Sequence, residues 1–588
     1  MRTVSGIVLL VLVLAAGAPA GLARGEQEAK DRNSALMNAL DSELQRSVEK
    51  LKNAGEAPLY FLAYRVYDVE DVAISGSYGA LDGRRQGGRQ RQLDVELRVG
   101  SPQLDNTHKV RAEGFDMSDL LSQFSGIQPT PYEDDEAAMR AALWSATDRN
   151  FKDAQRKYTT VKANKAVKVE EEDASADFSV RKSVSHAGGP ATFAIDRKFW
   201  EERVRKLSAV FKDYAPLQRS SVTFNASRTR RACVTSEGTR IQDERVQYRL
   251  FMLVQTVADD GMQLWLYEGW EVTSPADLPN DATLEATARA LAEQLGALRK
   301  APVAEPYAGP AILRSRAAGV FFHEIFGHRI EGHRQKDENE GRTFAKKVGQ
   351  PIMPDFISVV DDPTRQRLGQ TPLNGYYQFD DEGVPAEKVT LVDKGVLKSF
   401  LMGRSPVKGF PESNGHGRCS PGQRPCARQG NLAVESTKRV PYDKLRAQLI
   451  EEVKKQGKPY GLIFDDIAGG FTMTQSFMPQ SFKLLPLRVW RVYPDGKPDE
   501  VLRGVDIVGT PLASLERILD AADDDAVFNG TCGAESGWVP VSASSPSLLV
   551  GTIEVERQEK AQDKPPLLPA PRHDPEDPAS APRKESKP

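Results

Sequence analysis

Helical spacing and strict alternation divide the chain into recognisable segments. Between residues 33 and 53, Leu36, Leu40, Leu44, Val48 and Leu51 fall on one stripe behind an Asn33-Ser34 cap, a spacing that predicts an amphipathic helix. Leu59–Tyr67 reads as a β-rich run, and Gln92–Val99 alternates Leu93, Val95, Leu97 and Val99 with polar residues, the period of a half-buried strand. The Gly-Arg stretch between them, Gly83–Gln92, lacks interleaved aromatics and is expected to be a solvated hairpin tip. Helical spacing returns at 134–157 and at 196–213, where Phe199, Trp200, Val204, Leu207, Val210 and Phe211 recur on a core face. From Ser220 to Val272 the pattern is strand-like, with Asp259-Asp260-Gly261 as the turn of a hairpin. Helices are expected at 281–299, 441–456 and 510–521, and a short strand at Pro310–Ser315. No repeat at solenoid periods is present, and the mixture points to an α+β chain of two domains, an N-terminal α/β domain over 24–218 and a C-terminal domain over 219–557.

The ends read differently. Arg2 precedes the apolar run Gly6–Ala16, followed by Ala18-Pro19-Ala20 and Ala23, the layout of a signal peptide over residues 1–23, too short to span a bilayer. The expectation is therefore an exported protein, periplasmic or secreted, with no membrane span. Residues 558–588 are rich in Pro and charge and are expected to be a disordered tail. With 79 Lys and Arg against 82 Asp and Glu in 588 residues, the chain has no excess of positive charge to mark a nucleic-acid binder. Its four cysteines are too few for a disulfide-built scaffold.

Three of the seven histidines crowd into His323-Glu324-Ile325-Phe326-Gly327-His328-Arg329-Ile330-Glu331-Gly332-His333. Neutral imidazoles bind zinc, and a glutamate beside the first can take a proton from water, so the pattern suits metal-assisted hydrolysis. The spacing is unusual, because residues five apart lie about 140° apart on an ideal helix, against about 40° for residues four apart. A π-bulge eased by Gly327 would bring His323 and His328 together. A metzincin pattern fails, since Gly327 and Ile330 stand where its second histidine and its glycine belong. Spacing alone fits equally a buried helix whose histidines are simply hydrogen-bonded.

The segment His323–Gly332 resembles the H-E-x-x-x-H motif of the TldD/PmbA family of zinc metallopeptidases. Val359–Thr364, Asp380–Pro385, Ser413–Gly415, Gly504–Gly509 and Gly530–Gly533 followed by Val539–Val541 are similar to further landmarks of that family, in its order. The resemblance covers about 220–557. It implies a two-domain TldD/PmbA-like α+β fold, with mixed sheets and the metal-binding helix in the C-terminal domain. It also implies a Zn2+ cofactor held by His323, His328 and Cys532, with Glu324 as the general base of a peptidase acting on unfolded peptides or small proteins. Glu331 and His333 are candidates for supporting that centre. A dimer is expected, either of identical chains or with a paralogue of the family.

Several features depart from the family. His333 stands where an acidic residue is common, and an extra ligand, a supporting group and a surface histidine are all open to it. Cys419 and Cys426 fall in a loop without family cysteines; a Cys419–Cys426 disulfide suits an oxidising compartment, with a two-cysteine metal site as the alternative. Asp361-Asp362 and Asp380-Asp381-Glu382 lack calcium-loop spacing and are expected to be solvated turns or to support the site, while Asp465–Gly470 is expected to line the substrate cleft. A non-catalytic partner subunit and a hydrolase of non-peptide bonds are the alternative functions.

Overall fold

The computed structural model describes residues 20–83, 87–109, 130–167, 172–214, 217–478 and 480–558. The apolar run Gly6–Ala16 and residues 559–588 of the expected tail lie outside these, and no described helix is long and apolar enough to cross a membrane.

The first half places α1 (Ala20–Leu51), β1 (Leu59–Ser77), β2 (Gly88–Ser101), α2 (Glu136–Val167), α3 (Arg197–Ala209), β3 (Arg219–Thr235), β4 (Arg240–Val257), β5 (Gln263–Val272) and α4 (Asp281–Lys300). Among the described residues an eight-stranded sheet carries these strands in the order β2-β1-β3-β4-β5, all antiparallel, with short strands at its margins. Alternation along β2 turns Leu93, Val95 and Leu97 toward Leu40 and Leu143 of α1 and α2. A separate cluster joins Trp200 and Leu284 of α3 and α4 to Phe224 and Leu250.

Two expectations change here. The helix-to-strand passage at Tyr214–Arg219 does not separate two units, because β3 pairs with β1 from Val222 to Thr235, so the division expected at 218/219 falls inside one sheet. A loop signal marks the end of a helix whether or not the next strand joins the same sheet. Nor are Arg89 and Arg91 part of a free hairpin tip: they lie within β2 and donate to Asp68 on β1, since cross-strand neighbours of opposite charge attract.

The second half contains β6 (Tyr307–Leu313), α5 (Ser315–Ile325), a 3₁₀ turn (Gly327–Arg329), α6 (His333–Lys336), β7 (Ile357–Asp361) and β8 (Val389–Asp393). After these come the two-residue strands β9 (Gly417–Arg418) and β10 (Cys426–Ala427), β11 (Asn431–Ser436), α7 (Tyr442–Lys455), β12 (Gly461–Thr472) and β13 (Phe482–Val492). The chain ends with β14 (Val505–Gly509), α8 (Pro511–Leu515), β15 (Ala526–Ala534), β16 (Gly537–Ser545) and β17 (Leu548–Arg557). The helix expected at 510–521 stops at Leu515, and Ile518–Ala521 is a strand paired with β17. Three apolar residues around Asp520 in Ile518–Ala521 satisfy either period, and the neighbouring edge decides.

Strands β12, β6, β17, β14 and β13 lie side by side, and β13 pairs back with β12 to close a ring. A second sheet runs β8-β7-β11-β16-β15. Helix α5 is wedged between them, against β12 on one side and β15 and β16 on the other. Every residue of α5 except Arg316 is buried, as expected for a helix apolar all round. The eight-stranded sheet docks on the loop at Asp380–Glu382: Arg231 donates to the Asp380 carbonyl at 2.6 Å, Arg65 to the Asp381 carbonyl at 3.3 Å and the Tyr67 hydroxyl to Asp381 Oδ1 at 3.2 Å.

Candidate metal centre

The motif occupies the end of α5 and the turn beyond it, and no π-bulge forms. The helix terminates at Ile325, Phe326 departs to φ −112°, and Gly327–Arg329 closes as a 3₁₀ turn. This break, rather than an overwound helix, turns His328 back toward His323, whose ring centroid lies 5.1 Å away. Gly327 permits it by its lack of a side chain: a Cβ there would stand 1.9 Å from Gln429 Oε1, and Gln429 is buried and donates to the His323 carbonyl.

Cys532, on β15, completes the group. Its Sγ lies 3.2 Å from His323 Nε2 and 3.3 Å from His328 Nε2, and donor atoms of all three residues fall within 4.8 Å of one another. A tetrahedral zinc with ordinary Zn–N and Zn–S bonds spreads such donors about 3.6 Å apart, so the set fits that ion. Burial works against charge on both imidazoles, yet the adjoining Cys532 thiolate outweighs it and raises both, His328 the further. Burial also opposes the thiolate, and His328 and His323 together outweigh it, holding Cys532 well below the usual thiol range. Donors that stabilise one another in ionised form are poised to exchange protons for a cation.

Glu324 sits one residue beyond His323, buried, with Gly470 of β12 packed so close that a Cβ there would lie 3.1 Å from Glu324 Cγ. The stretch expected to line a cleft thus reaches the centre through Gly470. Glu331 stands behind His328, its Oε1 3.5 Å from Nδ1, while its Oε2 accepts from Arg334 Nε at 2.9 Å. Burial raises the Glu331 pKa, but His328, Arg334 and Arg428 bring it down to about 2.

Arg428 has no signal in the sequence and is central to the site. Wholly buried, it donates from Nη2 to Cys532 Sγ at 3.1 Å and to the Cys532 carbonyl at 2.9 Å, and from Nη1 to Ser536 Oγ at 2.9 Å. Its Nε lies 3.4 Å from Glu331 Oε1, so one guanidinium spans the thiolate and the carboxylate behind His328. Asp361 holds the segment that carries it, accepting from the backbone of Gly430 and Asn431 at 3.0 and 2.9 Å. Asp361 and Asp380 are therefore buried anchors and not solvated turns; Asp380 accepts from Val384 and Gly417.

His333 takes no part in this group and pairs instead with Glu535. The Cys419–Cys426 disulfide does not form, and Cys233, Cys419, Cys426 and Cys532 are all free thiols. Cys426 pairs in register with Arg418 on β9, so Cys419, one position on, faces the opposite side of the ribbon, beside the Tyr67 hydroxyl at 3.8 Å.

A buried imidazole-imidazole-thiolate set with a glutamate next in sequence to the first histidine is a donor set suited to a zinc-class ion. Residues 307–557 match the model of the PmbA/TldA metallopeptidase C-terminal domain. Through that region, less than half of its length, the chain is similar to the PmbA/TldD family. A metalloprotease of Archaeoglobus fulgidus is 30% identical over 240 residues, 40% of this chain and 51% of that one. A zinc metalloprotease TldD homolog of Saccharolobus solfataricus is 25% identical over 254 residues, 42% and 52% of the two chains. The chain thus spans about half the length of these curated relatives. The solved structure of TldE from Thermococcus kodakarensis superimposes with a TM-score of 0.55 at 14% identity, over 88% of this chain and 100% of that one, which establishes a shared α+β fold.

Proposed function

We propose that the protein is a zinc-dependent peptidase, in which His323, His328 and Cys532 hold the ion and Glu324 is the general base. The observation that carries this reading is the convergence of three buried donors, drawn from a broken helix and a distant hairpin, directly beside a glutamate. Metalloprotease is also the name given to the relatives from Archaeoglobus and Saccharolobus. Zinc, when bound, supplies a Lewis acid that polarises a carbonyl and makes water acidic near neutral pH. Glu324 takes the proton of the attacking water and returns it to the departing amine. Glu331, behind His328 Nδ1, orients that ring and keeps its other nitrogen free for ligation. Arg428 holds Cys532 as a thiolate.

Unfolded peptides are the substrate class this reading favours, and a dimer, of identical chains or with a paralogue, is the assembly. Export to the periplasm or medium is the location, supported by the Arg2 and Gly6–Ala16 pattern.

Zinc content per chain, compared with a Cys532→Ala variant, tests the ligand set; about one ion lost with the thiol is the expected result. Glu324→Gln tests the base: it should retain zinc and lose peptide hydrolysis by ~10²–10⁴-fold. A Glu324→Gln protein with metal and full activity sinks the mechanism.

A further inference from the structure

A second set of donors lies outside the centre just described. His333 at the start of α6, Cys426 on β10 and Glu535 in the turn between β15 and β16 offer a ring nitrogen, a sulfur and a carboxylate oxygen, all within 4.8 Å of one another. Three separate segments meet at this point, and none of the three residues belongs to the first cluster.

Ion pairing alone leaves parts of this arrangement unexplained. Glu535 Oε2 already accepts from Arg334 Nη2 at 2.7 Å, so the carboxylate has a cation without His333. The contact between His333 Nε2 and Glu535 Oε1 leaves His333 Nδ1 buried with no partner, an unmet polar group of a kind folded proteins rarely keep. Cys426 takes no part in that ion pair and hydrogen-bonds Ser536, while burial and the Glu535 carboxylate oppose its thiolate. It is released from any bond with Cys419, which faces the other side of the ribbon.

We propose that His333, Cys426 and Glu535 form a second divalent-metal site, of the zinc class, which fastens the β9–β10 ribbon to α6 and to the turn after Cys532. Thiolate and imidazole donors select zinc and its neighbours over magnesium or calcium. One thiolate and one carboxylate neutralise the charge of a divalent ion, and the partly exposed position leaves solvent as the fourth ligand. Tetrahedral bonding asks for donors about 3.3–3.8 Å apart, so the touching His333 and Glu535 donors separate to admit the ion and Cys426 closes on it. Its role is mechanical. Arg428 lies two residues beyond Cys426, and Glu535 three beyond Cys532, so the ion pins both flanks of the first centre.

The test is metal content of the full chain after zinc-replete dialysis, for wild type, Cys532→Ser, Cys426→Ser and the double variant, with circular dichroism to verify folding. The expectation is about two, one, one and no ions per chain. Cobalt-loaded Cys532→Ser should show a thiolate-to-metal charge-transfer band, absent from the double variant. One ion in wild type and in Cys532→Ser, with none in Cys426→Ser, upholds this second site while removing the first. Equal zinc in wild type and Cys426→Ser overturns it. A reading independent of any change at Cys426 comes from alkylation of that thiol in Cys532→Ser, followed by mass spectrometry. Zinc should protect Cys426 at least about tenfold, and equal rates with and without zinc refute the proposal.

Discussion

Replacing Arg428 by methionine removes the guanidinium that touches Cys532 while keeping an unbranched apolar side chain in its place. Four donor contacts disappear, at 2.9 and 3.1 Å to Cys532 and at 2.9 and 3.1 Å to Ser536 Oγ and the Gly537 carbonyl. Glu331, fully buried, loses one of its two neighbouring guanidinium groups. Breaking a buried charge pair on one side typically costs about 3–5 kcal/mol, and residues that support a metal ligand change affinity by ~10–100-fold. Urea unfolding of the metal-free protein measures the first quantity and competition with a chromogenic zinc chelator the second. Both should fall in Arg428→Met. Ser536→Ala, which removes one neutral acceptor, is the control and should cost only about 1 kcal/mol with zinc affinity unchanged. A folded Arg428→Met protein that binds zinc within about twofold of wild type would refute the assignment of Arg428 to the thiolate.

Gly327→Ala should lower the melting temperature by an amount corresponding to about 1–3 kcal/mol, because the new Cβ meets buried Gln429 at 1.9 Å. Gly470→Ala places a Cβ 2.7 Å from the Lys483 carbonyl and 3.1 Å from Glu324 Cγ; displacement of Glu324 should reduce kcat while zinc content stays at the wild-type level, and an unchanged kcat counts against Glu324 as base. Glu331 has its folded pKa depressed from 4.5 to about 2, so its stabilising contribution is complete above pH 4.5 and is lost as pH falls through about 2. That shift corresponds to about 3 kcal/mol, and the stability gap between wild type and Glu331→Gln in metal-free protein should narrow over that acid window in urea titrations. A gap independent of pH would show that Glu331 is not held by its neighbouring cations.

Long periodic segments were legible because their faces are decided locally: the Leu36–Leu51 stripe and the alternation of Leu93 to Val99 both occur where the spacing predicts. The His323, His328 and Cys532 grouping was reached through family likeness, since helical geometry by itself separates the two histidines. What brings them together is the helix end at Ile325 and the turn after it, where Gln429 packs against Gly327, and no local pattern announces a residue about a hundred positions away. Arg428 was hidden for the same reason: its partners are Cys532 and Glu331, and an isolated arginine in a polar loop reads as solvated. The sheet spanning residue 219 was likewise invisible, because strand pairing between β1 and β3 joins segments that share no sequence signal.

His323 and Cys532 stand 209 positions apart, and between them lie the whole β7–β11 sheet segment and most of the closed ring. A chain emerging N-terminus first presents both histidines long before the thiolate exists, and an isolated pair of imidazoles is a weak zinc ligand. Long-range contacts of this kind form late, once the loop entropy of the intervening chain has been met by packing. Under the proposed zinc reading, acquisition of an ion would report completed folding, because the third donor arrives only when β15 docks against α5, and a chain shortened before that hairpin keeps its H-E-x-x-x-H motif without a centre to serve.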